Sequence, residues 1–245
     1  MSVHLYAALS RPGPASFFNF TFLPKYATYF VNGVLNTLLL SIFSVLLAVL
    51  PALLLALMRL SKNRLIRGIS GAYIAVFRST PMLVQLSIIY FGLFNAIKIP
   101  NIVIFGFLRL NQFIPFVVAL SLNSSAYVAE IFRAGILAVD SGQMEAARSL
   151  GLSQWQGMRL IVLPQAIKNI LPALANEVVT MVKESSICSS YGCMELMWAA
   201  KTTAGATMIS LGPYVLIAAI YFAINYPASK AIEAVERRMR RGDKQ

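Results

Sequence analysis

Apolar runs and short polar segments alternate along most of the chain, and the lengths of the runs predict membrane-spanning helices. A helix needs about 20 predominantly apolar residues to cross a bilayer. Five runs reach that length, at about residues 29–58, 68–97, 113–132, 170–193 and 206–229. The pattern therefore predicts an all-α integral membrane protein with five transmembrane helices.

Composition excludes a soluble globular domain. Hydrophobic residues make up 58% of the chain and charged residues 12%, whereas soluble domains average about 25% charged residues. The net charge of +12 raises the alternative of a nucleic-acid partner. The cations, however, lie in short stretches beside the apolar runs, as they do in cytoplasmic loops of membrane proteins. We therefore expect membrane lipid and no nucleic acid around this chain.

The same cations predict the topology. The stretch "RLSKNRLIR" at 59–67 contains four cations and no acid, and the segment after the third run and the C-terminal tail are also basic. Because Lys and Arg are enriched on the cytoplasmic side of membranes, these segments are predicted to face the cytoplasm. Residues 1–28 then form an extracytoplasmic N-terminal tail, 29–232 the membrane domain and 233–245 a basic cytoplasmic tail.

Few residues in the chain suit catalysis or metal binding. The two cysteines, Cys188 and Cys193, match no strong metal-site spacing, and the single histidine is His4. No histidine or aspartate lies in a predicted span, which disfavours the alternative of a membrane-embedded enzyme. We expect no metal site and no catalytic residue.

One polar segment, residues 141–164, interrupts the apolar pattern and is here named the coupling segment. Good helix formers precede Gly151, a residue suited to the left-handed position after a helix end. Ser153 and Gln156 have the spacing of a capping box that opens a second short helix. Pro164 predicts a kink or break before the next span. Local chemistry leaves two interpretations open: a docking surface for another protein, or an amphipathic loop on the membrane.

The coupling segment resembles the EAA loop of ABC importer permeases. "EAARSLG", nine residues and "IVLP" follow the family pattern at every step. Its positions are filled by Glu145, Ala146, Ala147, Gly151, Ile161 and Pro164. The stretches "FRSTPMLVQ", "LNSSAYVAEIFRAGI" and "VKESSI" resemble the polar amino acid subfamily, whose members are histidine-, arginine- and glutamine-type permeases.

The resemblance implies a five-span type I ABC importer permease fold that pairs with a second permease copy or a paralogue in the bacterial cytoplasmic (inner) membrane. Glu145, Ala146, Ala147, Gly151 and Pro164 would form the contact to an ATP-binding subunit. That subunit would bind ATP and Mg, so no cofactor is expected in this chain. An external amino-acid-binding protein would deliver the substrate. The chain also lacks the G-x-x-x-x-G-K-[ST] phosphate loop of an ATPase.

Ionisable residues inside spans cost about 2.5–3.5 kcal/mol each on insertion scales, so each is a candidate functional residue. The candidate substrate-binding residues are Arg78, Glu130, Glu177, Lys183 and Glu184. In the resembled subfamily the fourth span lines the substrate cavity. An acid there would hold an ammonium group and a cation a carboxylate. Glu177 favours a basic amino acid, and the predicted cargo is a basic or neutral polar amino acid.

Several alternatives remain open at this point. The charges could form structural ion pairs, and Glu130 in particular could pair with Arg133 or Arg78. The cargo could be another small solute. The chain could also be a passive channel or a scaffold, although the EAA spacing would then have no use.

Overall fold

Helices dominate the computed structural model, which describes residues 19–94, 96–97 and 99–241. The predicted N-terminal tail therefore lies largely outside the described residues. The α-helices are α1 Leu23–Leu60, α2 Arg64–Ser79, α3 Met82–Ile88, α4 Leu110–Leu137, α5 Ser141–Ser149, α6 Gln154–Gly157, α7 Leu163–Glu184, α8 Leu196–Thr207 and α9 Gly212–Arg241. A small antiparallel hairpin, β1 Val103–Ile104 with β2 Leu108–Arg109, joins the second and third spans.

The described residues contain four helical stretches that are long and apolar enough to cross a membrane: Leu23–Leu60, Leu110–Leu137, Gln154–Tyr191 and Gly212–Met239. A fifth span comes from the pair Arg64–Ser79 and Met82–Leu93, which is bent by 111°. The expectation of an all-α protein with five spans is thereby confirmed.

Pro81 marks the bend between α2 and α3, as its position in the sequence predicts. Backbone carbonyls freed by such a break need partners inside a membrane. The Gln85 side chain supplies them: its Nε2 donates to the carbonyls of Phe77 at 2.8 Å and Thr80 at 3.0 Å. Asn123 on α4 donates in turn to Gln85 Oε1 at 2.7 Å. The bend is therefore held by a buried pair of amide side chains.

Small buried residues allow α1 and α4 to pack closely against each other. Ala48, Ala52 and Ala56 are buried along α1, and Ala126 and Ala129 are buried on α4. Small side chains let helix backbones approach closely, which is the main source of helix–helix attraction in lipid. The α1–α4 pair consequently forms the centre against which α2 and α7 also pack.

The fourth and fifth spans differ from their predicted bounds. No break occurs at Pro164, because the π-helical turn Met158–Val162 runs directly into α7 and the proline occupies its first turn. Within the continuous stretch Gln154–Tyr191 this π-helical turn accommodates the proline ring and the missing N–H. The predicted fifth span starts too early, since residues 206–207 still belong to α8. Helix α9 extends to Arg241, so the described part of the basic tail is helical.

A fully buried carboxylate organises the connection between the fourth and fifth spans. Glu195 caps α8 by accepting from the backbone N–H groups of the two residues 197 and 198 at 2.9 and 2.7 Å. The Tyr221 hydroxyl donates to the same carboxylate at 3.2 Å. Burial raises the pKa of Glu195 to about 7. The connection is also tied to α1, where Thr37 Oγ1 accepts from the Leu196 N–H at 3.1 Å.

Candidate functional site

A cavity of about 610 Å³ lies between α4 and α7 and is closed in part by the ends of α2 and α9. Three of the five predicted substrate-binding residues line it, namely Arg78, Glu130 and Glu177. We name it the α4–α7 cavity. Arg78 and Glu177 are about a hundred residues apart in the sequence. The fold therefore brings together charges that are distant along the chain.

Glu177 is the acid that α7 places in the wall of the cavity. It is half-buried, and its Oε1 accepts a hydrogen bond from the Ser124 hydroxyl of α4 at 2.8 Å. A carboxylate has about four acceptor positions. One donor from a neutral hydroxyl therefore leaves this group with capacity for a cationic ligand.

Arg78 reaches the cavity from the last turn of α2. Its guanidinium lies over the Tyr127 ring, 5.4 Å from the centroid, a cation–π contact. Within the part of the chain that the structure describes, no hydrogen-bond acceptor contacts this guanidinium. Because arginine presents five N–H donors in a planar fork, Arg78 suits a carboxylate ligand.

Glu130 lines the same cavity but is engaged in ion pairs. Its Oε2 accepts from Arg133 Nε at 2.9 Å and Nη2 at 2.7 Å, a bidentate contact. Its Oε1 lies 3.8 Å from Arg59 Nε of α1. The alternative of a structural pair with Arg133 is thus confirmed, and Arg59 is a partner that the sequence did not indicate.

Lys183 and Glu184 do not line the α4–α7 cavity. They lie at the end of α7, where Lys183 is exposed and Glu184 is half-buried. Lys183 is six positions beyond Glu177, so about 600° of helix rotation turns it to another face.

Further polar residues of the cavity wall escaped the sequence reasoning. Asn169 and Asn176 of α7 line it, and Lys168 stands beside them. The sequence did contain a signal for these lining residues. The pairs 168–169, 172–173 and 176–177 recur every four positions. That spacing places side chains along one face of a helix.

The coupling segment forms two short helices, as predicted. Helix α5 ends in a Schellman-type arrangement, in which Gly151 has φ 87° and the Leu152 N–H donates to the Ala147 carbonyl at 3.1 Å. The capping box is present: Gln156 N–H donates to Ser153 Oγ at 3.3 Å, and the Ser153 N–H donates to Gln156 Oε1 at 2.8 Å.

The residues of the coupling segment that the resemblance implies as contacts differ in exposure. Glu145 and Ala146 are exposed, but Ala147 is buried against Gly157. Two large apolar side chains that the sequence reasoning missed are exposed instead: Leu150 at 84% and Trp155 at 70%. Exposed apolar side chains on a polar segment are available for contact with another protein or with the membrane surface.

Comparisons with known proteins agree with this geometry. Residues 44–241 match the family described as binding-protein-dependent transport system inner membrane component. A Rickettsia bellii permease named for a glutamine transport system is 39% identical over 218 residues, 89% of this chain and 95% of that protein. The arginine transport system permease of Bacillus subtilis is 39% identical over 215 residues, 88% and 94% of the two chains. A crystal structure of an amino acid ABC transporter with histidines superposes with a TM-score of 0.80 at 45% identity, covering 90% of this chain and 98% of that one.

Proposed function

Since the chain belongs to the family of binding-protein-dependent transport system inner membrane components, we propose that it is the permease subunit of an ATP-driven importer of polar amino acids. The observation that carries the proposal is one cavity lined by Glu177, a half-buried carboxylate, and by Arg78, whose guanidinium contacts no hydrogen-bond acceptor among the described residues. Relatives named for glutamine and arginine transport support the same substrate class.

The charges of the α4–α7 cavity match the two charged groups of an α-amino acid. The Arg78 guanidinium binds the substrate carboxylate in a bidentate contact. Glu177 binds the α-ammonium group or a cationic side chain. Glu130 already has a bidentate partner, so its role is to position the cavity wall. A role in substrate binding for Lys183 and Glu184 stays a prediction.

The coupling segment is proposed to dock in a cleft of an ATP-binding subunit, which binds ATP and Mg. The exposed residues Glu145, Ala146, Leu150 and Trp155 make the contact, while Gly151 sets the turn between the helices. Gln154–Tyr191 is one continuous helical stretch that includes Pro164 and Glu177. A displacement of the docked segment is therefore carried along α7 to the wall of the cavity.

The remaining assembly follows from the same proposal. The chain lies in the bacterial inner membrane with its N-terminus outside and its C-terminus in the cytoplasm, because the basic segments are those predicted to stay inside. A second permease copy or a paralogue completes the translocation path. An external binding protein delivers the amino acid, and ATP hydrolysis takes place on the partner subunit.

The test is uptake by the complete complex in vesicles, measured for lysine, arginine, histidine and glutamine. Loss of a hydrogen bond to a charged group costs about 1.5–3 kcal/mol, so Glu177→Gln and Arg78→Gln are expected to raise KM for the transported amino acid about tenfold or more. Lys183→Gln tests the remaining predicted cation in the same assay.

The matched controls are Glu233→Gln and Lys230→Gln, which remove an exposed ion pair on α9 whose two residues do not line the cavity. Both controls are expected to transport normally. If none of the four amino acids enters, or if both cavity variants keep the unmodified KM for each, the proposed substrate and site are wrong.

A further inference from the structure

Three consecutive polar residues of α4, namely Asn123, Ser124 and Ser125, are buried in the bundle. A buried polar side chain is costly unless it is hydrogen-bonded, and each of the three bonds to a different neighbour. Ser124 donates to Glu177 of α7 at 2.8 Å. Ser125 shares a hydrogen bond of 2.9 Å with the Tyr73 hydroxyl of α2. Asn123 contacts the bend in the second span instead.

The contact from Asn123 leads to the backbone on both sides of Arg78. Gln85 Nε2 donates to the carbonyls of Phe77 and Thr80, at 2.8 and 3.0 Å. Phe77 directly precedes Arg78, and Thr80 is two positions after it. Asn123 Nδ2 donates to Gln85 Oε1 at 2.7 Å, which leaves Gln85 Nε2 turned toward the two carbonyls. The backbone around Arg78 is thus tied to one side chain, and that side chain is tied to α4.

The Arg78 side chain meets the same face of α4. Its guanidinium lies over the Tyr127 ring, and Tyr127 is four positions after Asn123, about 40° away around the helix. Gln85 and Asn123 are only 6% and 4% exposed, and neither lines the α4–α7 cavity. The two amides therefore do not touch a ligand in the cavity, but they fix the backbone from which Arg78 reaches it.

Consecutive residues of one helix consequently hold the two charges that the proposed substrate would meet. Asn123 acts on Arg78 through Gln85, and Ser124 acts on Glu177 directly. A binding site needs its groups held within about 0.5 Å of the productive geometry by hydrogen bonds from behind. The helix supplies this precision, because its geometry sets the distance between neighbouring residues.

We propose that Asn123 and Gln85 are positioning residues of the amino acid site. They hold Arg78 at the distance from Glu177 that the carboxylate and ammonium groups of one α-amino acid require. This role rests on the proposed function, since it concerns a site that Arg78 and Glu177 form. The amide pair affects substrate affinity only through Arg78, so its loss weakens binding less than the loss of Arg78 itself.

The test is equilibrium binding of radiolabelled arginine and glutamine to the purified complete complex in detergent, without the external binding protein. Arg78→Gln is expected to raise Kd about tenfold, and Asn123→Ala about fivefold, the factor for one buried hydrogen bond. Because Asn123 acts through Arg78, adding Asn123→Ala to Arg78→Gln should leave Kd unchanged from Arg78→Gln alone. A merely structural role predicts the same factor in both backgrounds.

Ser125→Ala is the matched control, because Ser125 is also buried on α4 and bonds to α2, but at Tyr73 and not at the bend. It should lower Tm and leave Kd unchanged. Thr80→Val serves as a second variant if Asn123→Ala does not assemble. Thr80 is exposed and its hydroxyl accepts from Gln85 Nε2 at 2.7 Å, so its loss should raise Kd about twofold.

Three results would each overturn the positioning role while Arg78→Gln still raises Kd and the proposed site stands. The first is an unmodified Kd in both Asn123→Ala and Thr80→Val. The second is an equal factor from Asn123→Ala with and without Arg78. The third is a Ser125→Ala variant that weakens binding as much as Asn123→Ala. An unmodified Kd in Arg78→Gln, or no binding by the unmodified complex, contradicts the proposed site itself and the positioning role with it.

Discussion

The coupling segment and the α4–α7 cavity are built in opposite ways. Most hydrogen bonds of the coupling segment join residues at most five positions apart, with one longer contact from Gln165 to Gln143, and the segment exposes Leu150 and Trp155. The cavity gathers half-buried or exposed charges from α2, α4 and α7, and its shape depends on how those helices pack. The local geometry of the first region is thus set mainly by residues close in sequence, whereas the second region depends on packing between distant helices.

This difference predicts which changes separate assembly from folding. Substitutions of exposed side chains in the coupling segment should break the contact to the ATP-binding subunit and leave the bundle intact. Substitutions at the helix contacts around the cavity should reduce stability and transport together.

The largest effect is expected at the apolar surface of the coupling segment. Trp155→Ala together with Leu150→Ala removes the two large side chains available for a buried contact. Such anchors are worth about 2 kcal/mol or more each, so affinity for the ATP-binding subunit should fall about thirtyfold for each substitution and up to about a thousandfold for both. Pull-down at graded concentrations measures this, and Tm of the isolated permease should not change.

Met208→Ala is the control for that double variant, because Met208 is also highly exposed, at 87%, but lies on the connection before α9. It should bind the ATP-binding subunit normally. A double variant that still binds with unmodified affinity would show that the contact uses another surface.

The next prediction concerns Glu195, the buried carboxylate in the connection between the fourth and fifth spans. This connection lies outside both the coupling segment and the α4–α7 cavity. The pKa of Glu195 is about 7 in the folded protein, above its ordinary value of 4.5. The folded state therefore holds this proton more tightly, so its stabilising contribution is complete below pH 4.5 and is lost as pH rises through 7. The contribution is at most about 3 kcal/mol.

Glu195→Gln should reduce the dependence of stability on pH. Measured between pH 5 and pH 8, Tm of the unmodified chain should fall more than Tm of the variant, because the amide does not ionise. Glu145→Gln, an exposed carboxyl, is the control and should keep the unmodified slope. Parallel slopes for Glu195→Gln and the unmodified chain would mean that the buried carboxyl stays ionised.

A smaller effect is expected from overpacking the wall of the cavity. A Cβ added at Gly135 of α4 would lie 2.4 Å from Ile170 Cγ1 of α7, closer than atoms approach. Gly135→Ala should therefore cost about 1–3 kcal/mol and lower both Tm and uptake. Adding Ile170→Ala makes space and should restore part of the Tm. Gly205→Ala is the control, since nothing lies within 4 Å of its Cβ position.

The same contrast explains what the sequence could predict. Gly151, the Ser153–Gln156 capping box and the bend at Pro81 all follow from chemistry within a few residues, and the structure confirms them. Of the kink or break expected at Pro164, the break does not occur, because a π-helical turn before the proline accommodates it within one continuous helix. The residue pattern alone does not show whether a proline interrupts a helix, as Pro81 does, or is accommodated within one, as Pro164 is.

The partners that the charged residues in the cavity have on other helices could not be predicted from the sequence. They are set by contacts between residues that are far apart along the chain. Ser124 bonds to Glu177 across 53 positions of sequence, and Arg59 pairs with Glu130 from another helix. The burial of Ala147 against Gly157 could not be predicted either, because it depends on how α5 packs against α6. Apolar patterns locate helices, but the partner of each charge is decided by helix packing.

We propose that ATP turnover on a partner subunit drives an amino acid through this chain. The most direct measurement is accumulation of radiolabelled arginine by vesicles that contain the complete complex, with ATP on the side of the coupling segment. The account predicts accumulation above the external concentration, abolished when ATP is withheld and when Trp155→Ala and Leu150→Ala are combined. Equilibration of arginine at the same rate without ATP would contradict it, because that is the behaviour of a passive channel.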